Sequence, residues 1–375
     1  MHGIYIHIPF CEQKCSYCDF LSFPGQHRRE KQWYVEALCE EMRQRIQGKW
    51  RTPETIFIGG GTPTSLTVEE LARVLAVLTE QIDIDCVEEF TVEANPGTVD
   101  TEKLGVLRNY GVNRLSFGVQ SFDDGLLQRV GRLHTADEAV RAVQMAKQAG
   151  FSNINLDLMY GLPGQTAGQW HETIERAIAL APTHLSLYQL IVEEHTRIAR
   201  QLEAGSVPPI DEDGAAVWFE RQRERLHQAG FEQYEISNYA QPGFASVHNQ
   251  LYWRLDDYLG LGLGATSWCR PTRSVNTSDL YVYCRALAAG TLPPMQRETL
   301  TRDEQMSESV FMALRMNEGF SREAFCALYG QDVTAVFADA VREGQSRGWL
   351  LLDRSRLRLS DAGRLVGNWV FELFI

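Results

Sequence analysis

Two rhythms of apolar and polar positions alternate along the first half of the chain. Short β-like runs at residues 4–8, 55–58, 89–93, 114–118, 153–157 and 184–189 are separated by longer stretches with helical apolar spacing. Those stretches cover residues 33–46, 68–82, 102–109, 136–149 and 170–181. Strand, helix, strand at this rhythm predicts a parallel sheet with right-handed crossovers. Six strands suit either a doubly wound sheet or an incomplete barrel. The polar residues decide between them, because Cys11, Gly59–Thr62, Glu93 with Asn95, Gln120 and Asp157 all stand at or just past the C-terminal end of a strand. Barrels gather their chemistry on that face, so the expected fold class is α/β with an incomplete (β/α)6 barrel.

Past residue 205 the rhythm changes. Val207-Pro208-Pro209 opens a linker, a helix is expected over 215–229, and short strands near 233–236. The glycine-rich stretch 259–265 reads as a close-packed turn near the barrel mouth. A second proline-bearing linker at 290–295 precedes helical segments at 303–316, 322–329 and 333–347. Two β-like runs, 349–353 and 356–360, then lead to a last helix over 361–372. Three helices followed by a hairpin predict a winged-helix-like unit. The expected division is thus a barrel over 1–205, an accessory region over 206–298 and a C-terminal winged-helix-like domain over 299–375.

Charge narrows the function classes. The 375 residues carry 36 Lys plus Arg against 49 Asp plus Glu, a net charge of −13. Phosphate contacts supply most nucleic-acid affinity, so this balance argues against a nucleic-acid partner. Even the winged-helix-like stretch has nine arginines and no lysine against eleven acids, which suits packing or partner docking. No run of about 18 uncharged apolar residues appears, so no membrane-spanning helix is expected. The start, Met1-His2-Gly3-Ile4, shows no secretory-signal pattern, and a cytoplasmic location is expected. Of eight cysteines, Cys39, Cys86, Cys269, Cys284 and Cys326 are scattered and read as buried reduced thiols.

The other three are not scattered. Cys11, Cys15 and Cys18 form C-x3-C-x2-C in a loop directly after the first strand. Soft thiolates select zinc, copper(I) or iron–sulfur clusters. No Cys or His pair at finger spacing supplies a fourth zinc ligand, whereas three thiolates in one short loop suit a 4Fe–4S cube with one open iron.

The segment Tyr5-Ile-His-Ile-Pro-Phe-Cys11-Glu-Gln-Lys-Cys15-Ser-Tyr-Cys18-Asp-Phe20 resembles the opening of the radical S-adenosylmethionine superfamily, in its coproporphyrinogen-oxidase-like branch. Gly59-Gly-Gly-Thr-Pro63, Val92-Glu-Ala-Asn-Pro96, Phe117-Gly-Val-Gln-Ser-Phe122, Gly131-Arg-Leu-His134 and Asn155-Leu-Asp-Leu-Met-Tyr-Gly-Leu-Pro163 are similar to its other motifs. The resemblance runs through the whole chain and implies a 4Fe–4S cluster on Cys11, Cys15 and Cys18. It further implies S-adenosyl-L-methionine bound near Gly60, Gly61, Thr62, Glu93, Gln120, Arg132 and Asp157. Read alone, each of these polar residues is equally well a structural salt bridge or cap, and the glycines a plain tight turn. Tyr5 and His7 share the strand face opposite Ile4, Ile6 and Ile8, so they point into the barrel if the isoleucines pack under helices. Tyr17 lies within the cysteine loop, where a ring would cover an adenine.

Two features bear on the reaction. Decarboxylating members of the branch extend the motif to C-x3-C-x2-C-x-C, but Phe20 fills the fourth position here. His248-Asn249-Gln250-Leu251-Tyr252-Trp253 resembles the H-N-x-x-Y-W motif of the branch's heme chaperones. Imidazole is a common heme ligand, and on a helix His248 and Tyr252 share a face. Without the resemblance, a histidine beside Tyr and Trp reads as a satisfied structural residue. The implied function is a heme chaperone that binds heme and passes it to apo-hemoproteins such as respiratory cytochromes. Membrane contact would then come through the partner, and a homodimer is left open. The alternatives are oxygen-independent coproporphyrinogen III oxidation and radical-type heme modification; no catalytic residue is assigned.

Overall fold

The first strand, β1 (His2–Ile8), buries Ile4, Ile6 and Ile8 completely on one face and turns Tyr5 and His7 to the other. In the computed structural model, which describes residues 2–375, a short parallel bridge follows between β2 (Phe10–Cys11) and β3 (Phe23–Pro24). Five further strands complete the central unit: β4 (Thr55–Gly60), β5 (Glu89–Ala94), β6 (Arg114–Gln120), β7 (Asn153–Tyr160) and β8 (His184–Gln189). They lie side by side in the order β1-β4-β5-β6-β7-β8, every pair parallel. Between them run α1 (Arg28–Arg45), α2 (Val68–Gln81), α3 (Thr101–Asn109), α4 (Asp124–Arg129), α5 (Ala136–Gln148) and α6 (Ala167–Ala179). Capping boxes start α2, α5 and α6, where Thr67, Thr135 and Thr166 pair with Glu70, Glu138 and Gln169.

The barrel does not close. Beyond α7 (Arg197–Glu203) and α8 (Glu212–Gln228) come the short strands β9 (Glu232–Gln233) and β10 (Asn238–Ala240); β10 adds antiparallel to β8, and β9 antiparallel to β10. After helix α9 (Val247–Trp253), strand β11 (Asp257–Leu261) pairs parallel with β1, so both edges of the barrel sheet are extended. The antiparallel strands β12 (Thr266–Cys269), β13 (Thr272–Asn276) and β14 (Met295–Thr299), the last following α10 (Leu280–Ala288), bring the sheet to twelve strands. The glycine-rich stretch expected as a turn is part strand: Gly260 and Leu261 belong to β11, and the turn starts at Gly262. A Cβ at Gly260 would stand 2.0 Å from the Thr266 carbonyl oxygen, so only glycine lets β12 come this close.

Alternation sorts the barrel strands into two faces. Phe90, Val92, Leu115, Phe117, Ile154, Leu156, Leu185 and Leu187 pack outward beneath the helices in the main core. The interleaved positions, Thr91 with Glu93, Arg114 with Ser116, Asn155 with Asp157, and His184 with Ser186, line the lumen, and all but Glu93 hydrogen-bond to another of the set. Parallel barrels usually fill this space with branched aliphatic residues. Here it is polar.

The C-terminal unit has its own core around Val310, Phe325 and Leu357. It contains α11 (Arg302–Ala313), strand β15 (Phe320–Ser321), α12 (Arg322–Tyr329), α13 (Val333–Val336) and α14 (Ala338–Ser346), then β16 (Leu350–Leu352), β17 (Arg356–Leu359), α15 (Asp361–Leu365) and α16 (Gly367–Glu372). Two expected helices are therefore split. The first breaks at Phe337, whose ring turns inward against Phe325 and Phe374. The small sheet, β15-β17-β16, gains a strand that the sequence reading lacked. Main-chain bonds from Ile236 N to Arg315 O (3.1 Å) and from Asn317 N to Tyr234 O (2.9 Å) join this unit to the barrel edge.

A fully buried carboxylate fastens α1 to the accessory strands. Glu41 accepts from Arg45 Nη1 (2.8 Å), Gly262 N (2.7 Å), Asn276 Nδ2 (2.8 Å) and Tyr283 Oη (2.6 Å). Removing it strands four donors in the interior. Glu41→Leu is expected to lower the free energy of unfolding by about 3–5 kcal/mol, read from urea denaturation. The neighbouring Glu40→Gln is expected to stay within about 0.5 kcal/mol of wild type. Equal denaturation midpoints for the two variants would refute this role for Glu41.

Candidate functional site

The cysteine loop sits at the C-terminal ends of the barrel strands and is held from several sides. Phe23 N donates to Pro9 O (2.7 Å), Ser16 N to Val130 O (2.9 Å), and Ile198 N to Ser16 O (2.8 Å). His7, pointing into the lumen as its alternation predicts, reaches the Leu21 carbonyl with Nε2 at 2.9 Å. A carbonyl only accepts, so Nε2 carries the proton and Nδ1 receives the Tyr5 hydroxyl at 3.0 Å.

Two of the three thiols are the ends of one hydrogen-bonded series. Cys11 Sγ lies 3.6 Å from Thr62 Oγ1, which accepts from Asn95 Nδ2 at 2.9 Å. Asn95 Oδ1 accepts from Arg132 Nη2, and Arg132 Nη1 donates to Cys15 Sγ at 3.5 Å. Arg132 Nη2 also meets the Gly118 carbonyl, while its buried Nε has no partner. The ends of β4, β5 and β6 are thereby tied to the loop. Burial pushes the Cys11 and Cys18 thiols up, and the guanidinium beside Cys15 offsets thiolate charge.

The glycine run has a reason within the chain itself. Gly60 adopts φ +110°, and a Cβ there would fall 2.4 Å from the His7 ring. A Cβ at Gly61 would meet the Phe10 carbonyl oxygen at 2.7 Å. These residues let β1, β4 and the cysteine loop pack together, whatever the loop binds. Gly60 N donates to Glu93 Oε2 at 3.0 Å. Burial and the neighbouring Asp157 push the Glu93 carboxyl up to about 7. Asp157 is also raised by burial, although Asn155 (2.9 Å) and Ser116 (3.1 Å) donate to its two oxygens. Gln120 takes φ +68° beside an irregularity in the β6–β7 register, a left-handed conformation uncommon outside glycine and often concentrated at functional sites. Tyr17 packs on the small apolar cluster of Leu126, Val130, Met159, Leu162 and Leu190. Phe20 stands in solvent with 69% of its surface exposed.

His248 occupies the other end of the barrel. It lies on α9 and is fully buried against Thr55 and Gly3, at the N-terminal ends of β4 and β1. Nδ1 meets Thr55 Oγ1 at 2.9 Å, Nε2 meets Tyr252 Oη at 2.9 Å, and the ring stacks on Phe57. Burial and the Arg114 charge push this imidazole down to about 3. The expected i, i+4 pairing of His248 with Tyr252 is present. The two candidate centres, cysteine loop and His248, are separated by the length of β1, roughly 20 Å.

Among the described residues, no three or more His, Cys, Asp or Glu side chains converge closely enough to hold a single metal ion. A cube presents a separate iron to each thiolate, and Cys11, Cys15 and Cys18 would supply three such ligands from one loop. The free thiols, the arginine beside Cys15 and the unpartnered Arg132 Nε fit a cluster with a small polar ligand beside it.

Comparison with known proteins places the whole chain. The radical SAM superfamily matches residues 5–177, and the HemN C-terminal domain matches residues 300–366. A Bacillus subtilis protein named Heme chaperone HemW is 38% identical, covering 100% of this chain and 99% of that relative. This chain belongs to the HemW family. An Escherichia coli protein of the same name is 36% identical, over 100% of this chain and 98% of its own. Among solved structures, the radical SAM enzyme coproporphyrinogen III oxidase (HemN) of Escherichia coli matches with a TM-score of 0.87 and 24% identity. That match covers 100% of this chain and 89% of the other, and it is a likeness of fold.

Several residues of this polar network are not legible as such in the sequence. Asn95, a strand-end polar residue by its position, is the link between Thr62 and Arg132. Glu89, Arg114 and His184 were not singled out. Their signal was the period-two alternation Glu89-Phe-Thr-Val-Glu93, Arg114-Leu-Ser116 and His184-Leu-Ser186, which marks one polar face on strands buried on both sides. The scattered cysteines are also corrected. Cys39 and Cys284 are buried, but Cys86, Cys269 and Cys326 are exposed, since they fall on a surface turn, a strand end and the outer face of α12.

Glu93 yields a test of this electrostatic picture. Its folded carboxyl binds a proton more tightly than the unfolded one. The associated stability is in place below pH 4.5 and is lost as pH rises through about 7. Glu93→Gln is therefore expected to match wild type near pH 4.5 and to exceed it in stability above pH 7, by urea denaturation of the cluster-free protein. Parallel pH profiles for the two proteins would show that Glu93 does not hold its proton.

Proposed function

We propose that this protein is a heme chaperone, which binds heme and passes it to apo-hemoproteins such as respiratory cytochromes. The observation that carries the reading is α9: the H-N-x-x-Y-W segment forms one helix with a bonded His248–Tyr252 pair. It does so in a chain whose full-length relatives are named heme chaperones. Among the described residues no helix is long and apolar enough to cross a membrane, so delivery to a membrane-bound acceptor would rely on the acceptor's own anchor.

Cys11, Cys15 and Cys18 would hold a 4Fe–4S cluster, with Arg132 beside Cys15 supporting thiolate charge. When bound, a cluster of this kind supplies one-electron reduction to a sulfonium such as S-adenosyl-L-methionine. The chain's own residues bind and orient that ligand. Glu93 and Asp157 offer carboxyl groups to an ammonium or ribose, and Gln120 offers an amide from its strained backbone position. Gly60, Gly61 and Thr62 form the floor beside Cys11. Tyr5 and Tyr17 bound the region from lumen and loop. His7 keeps the cysteine loop in register through Leu21.

Heme ligation by His248 requires a different state of α9. Both ring nitrogens are engaged and the ring is sealed from solvent, so iron reaches neither until the helix lifts or Tyr252 swings away. Each buried group left unpaired costs about 1–3 kcal/mol. The apparent affinity then falls with the fraction of chains in the open state.

Heme titration of anaerobically reconstituted protein, followed at the Soret band, tests this. Wild type is expected to bind saturably, and His248→Ala to weaken binding and shift the band. Tyr252→Phe removes one bond that must break, so it is expected to tighten binding about fivefold. Identical affinity and band position in wild type and His248→Ala would exclude His248 as the ligand. Failure of wild type to bind heme would overturn the chaperone reading.

A further inference from the structure

The lumen holds a chain of hydrogen bonds whose direction is fixed by chemistry alone. Asn155 Nδ2 lies 2.9 Å from Asp157 Oδ1 and 2.8 Å from Ser116 Oγ. A carboxylate oxygen accepts, so the amide nitrogen faces Asp157 and the amide oxygen faces away. That oxygen lies 2.6 Å from His184 Nδ1 and 3.2 Å from Ser186 Oγ. It too can only accept, so His184 carries its proton on Nδ1 and presents Nε2 as an acceptor. Tyr234 Oη, 2.8 Å from Nε2, must then donate to it. The same oxygen accepts the Ser246 backbone N–H at 3.2 Å. Ser246 is the N-cap of α9, and its hydroxyl donates to the buried Glu89 at 3.1 Å. Along the line Ser246 N–H, Tyr234, His184, Asn155 and Asp157, each donor points from α9 toward the barrel mouth.

We propose that His184 is a positioning residue: in one fixed tautomer it orients the Asp157 carboxylate and ties it to the N-terminus of α9. The proposal rests on the reading of Asp157 as a contact for S-adenosyl-L-methionine. The ring is fully buried, and burial with the nearby Arg114 charge holds it well below the ordinary histidine range, which keeps it neutral. A neutral ring can donate at one nitrogen and accept at the other; the protonated ring could not take the Tyr234 hydroxyl proton. Because Asn155 also secures Ser116, which donates to the second Asp157 oxygen, the set of His184, Asn155 and Ser116 fixes both carboxylate oxygens. The two ends of the barrel, cofactor pocket and α9, are thus joined by four side chains in sequence: Asp157, Asn155, His184 and Tyr234.

Two measurements on the full-length chain test the relay. Nitrogen-15 spectra of histidine-labelled protein, with the His184 signal assigned by its loss in His184→Gln, are expected to show the neutral Nδ1–H form. Equilibrium binding of S-adenosyl-L-methionine to cluster-reconstituted protein is expected to weaken about tenfold in His184→Leu, which removes the donor to Asn155. His184→Asn places an amide N–H near the Nδ1 position and is expected to recover binding to within about threefold of wild type. Tyr234→Phe, which cuts the link to α9 but keeps the Asn155 contact, is expected to speed amide exchange at residues 246–249 with a smaller loss of affinity. An Nε2–H tautomer, unchanged affinity in His184→Leu, or no recovery in His184→Asn would each overturn the relay. Wild-type protein that binds no S-adenosyl-L-methionine would sink the pocket reading and this role with it. An Nε2–H tautomer in a chain that does bind would sink the relay alone.

Discussion

Glu89 and Arg114 face each other inside the barrel, 3% and 2% exposed, and the rest of the structure depends on how the Glu89 carboxylate is satisfied. Buried charges are tolerated when further hydrogen bonds complete them. Glu89 receives the Ser246 hydroxyl and the backbone N–H groups of Val247 and His248, at 3.1, 2.8 and 3.1 Å. These are orphan donors at the start of a helix, so the carboxylate and the positive end of α9 stabilise one another. The helix that closes the barrel floor is therefore placed by a charge in the strand above it, and His248 is buried as a consequence.

That constraint propagates upward through the lumen. A parallel barrel filled with aliphatic side chains would seal its interior and leave the mouth independent of the floor. Here each inward position hands a hydrogen bond to the next, from α9 through His184 and Asn155 to Asp157. Low dielectric makes such a network rigid when complete and costly when broken. A change at either end accordingly has a physical route to the other. This matters for a chain whose two candidate binding elements, the cysteine loop and α9, lie at opposite ends of the barrel.

At the mouth the same economy operates with fewer groups. Thr62, Asn95 and Arg132 connect Cys11 to Cys15 across three strand ends, so the loop that would carry a cluster is held by the barrel rather than by its own turns. The glycines of β4 serve this packing directly, since any side chain at Gly60 or Gly61 would strike His7 or the Phe10 backbone. The likeness in fold to coproporphyrinogen III oxidase extends over this whole framework.

By itself the sequence determined what depends on local spacing. The six barrel strands and five main helices follow from period-two and helical apolar patterns, the cysteine triad from three soft ligands in one loop, and the lumen direction of Tyr5 and His7 from simple alternation. The family followed from motifs strung along the whole chain. Tertiary structure alone decided which distant residues meet. It put Asn95 between Thr62 and Arg132, set Glu89 above a helix more than 150 residues later, made His184 the partner of Asn155, and split one C-terminal helix at Phe337, where the ring turns inward, and another at Val366. It also placed His248, legible as a motif residue, in a sealed pocket at the far end from the cysteines. The physical reason is that hydrogen-bond satisfaction in a buried lumen is a property of the assembled strands. A residue's type and spacing state what it can donate or accept, and only the fold states to whom.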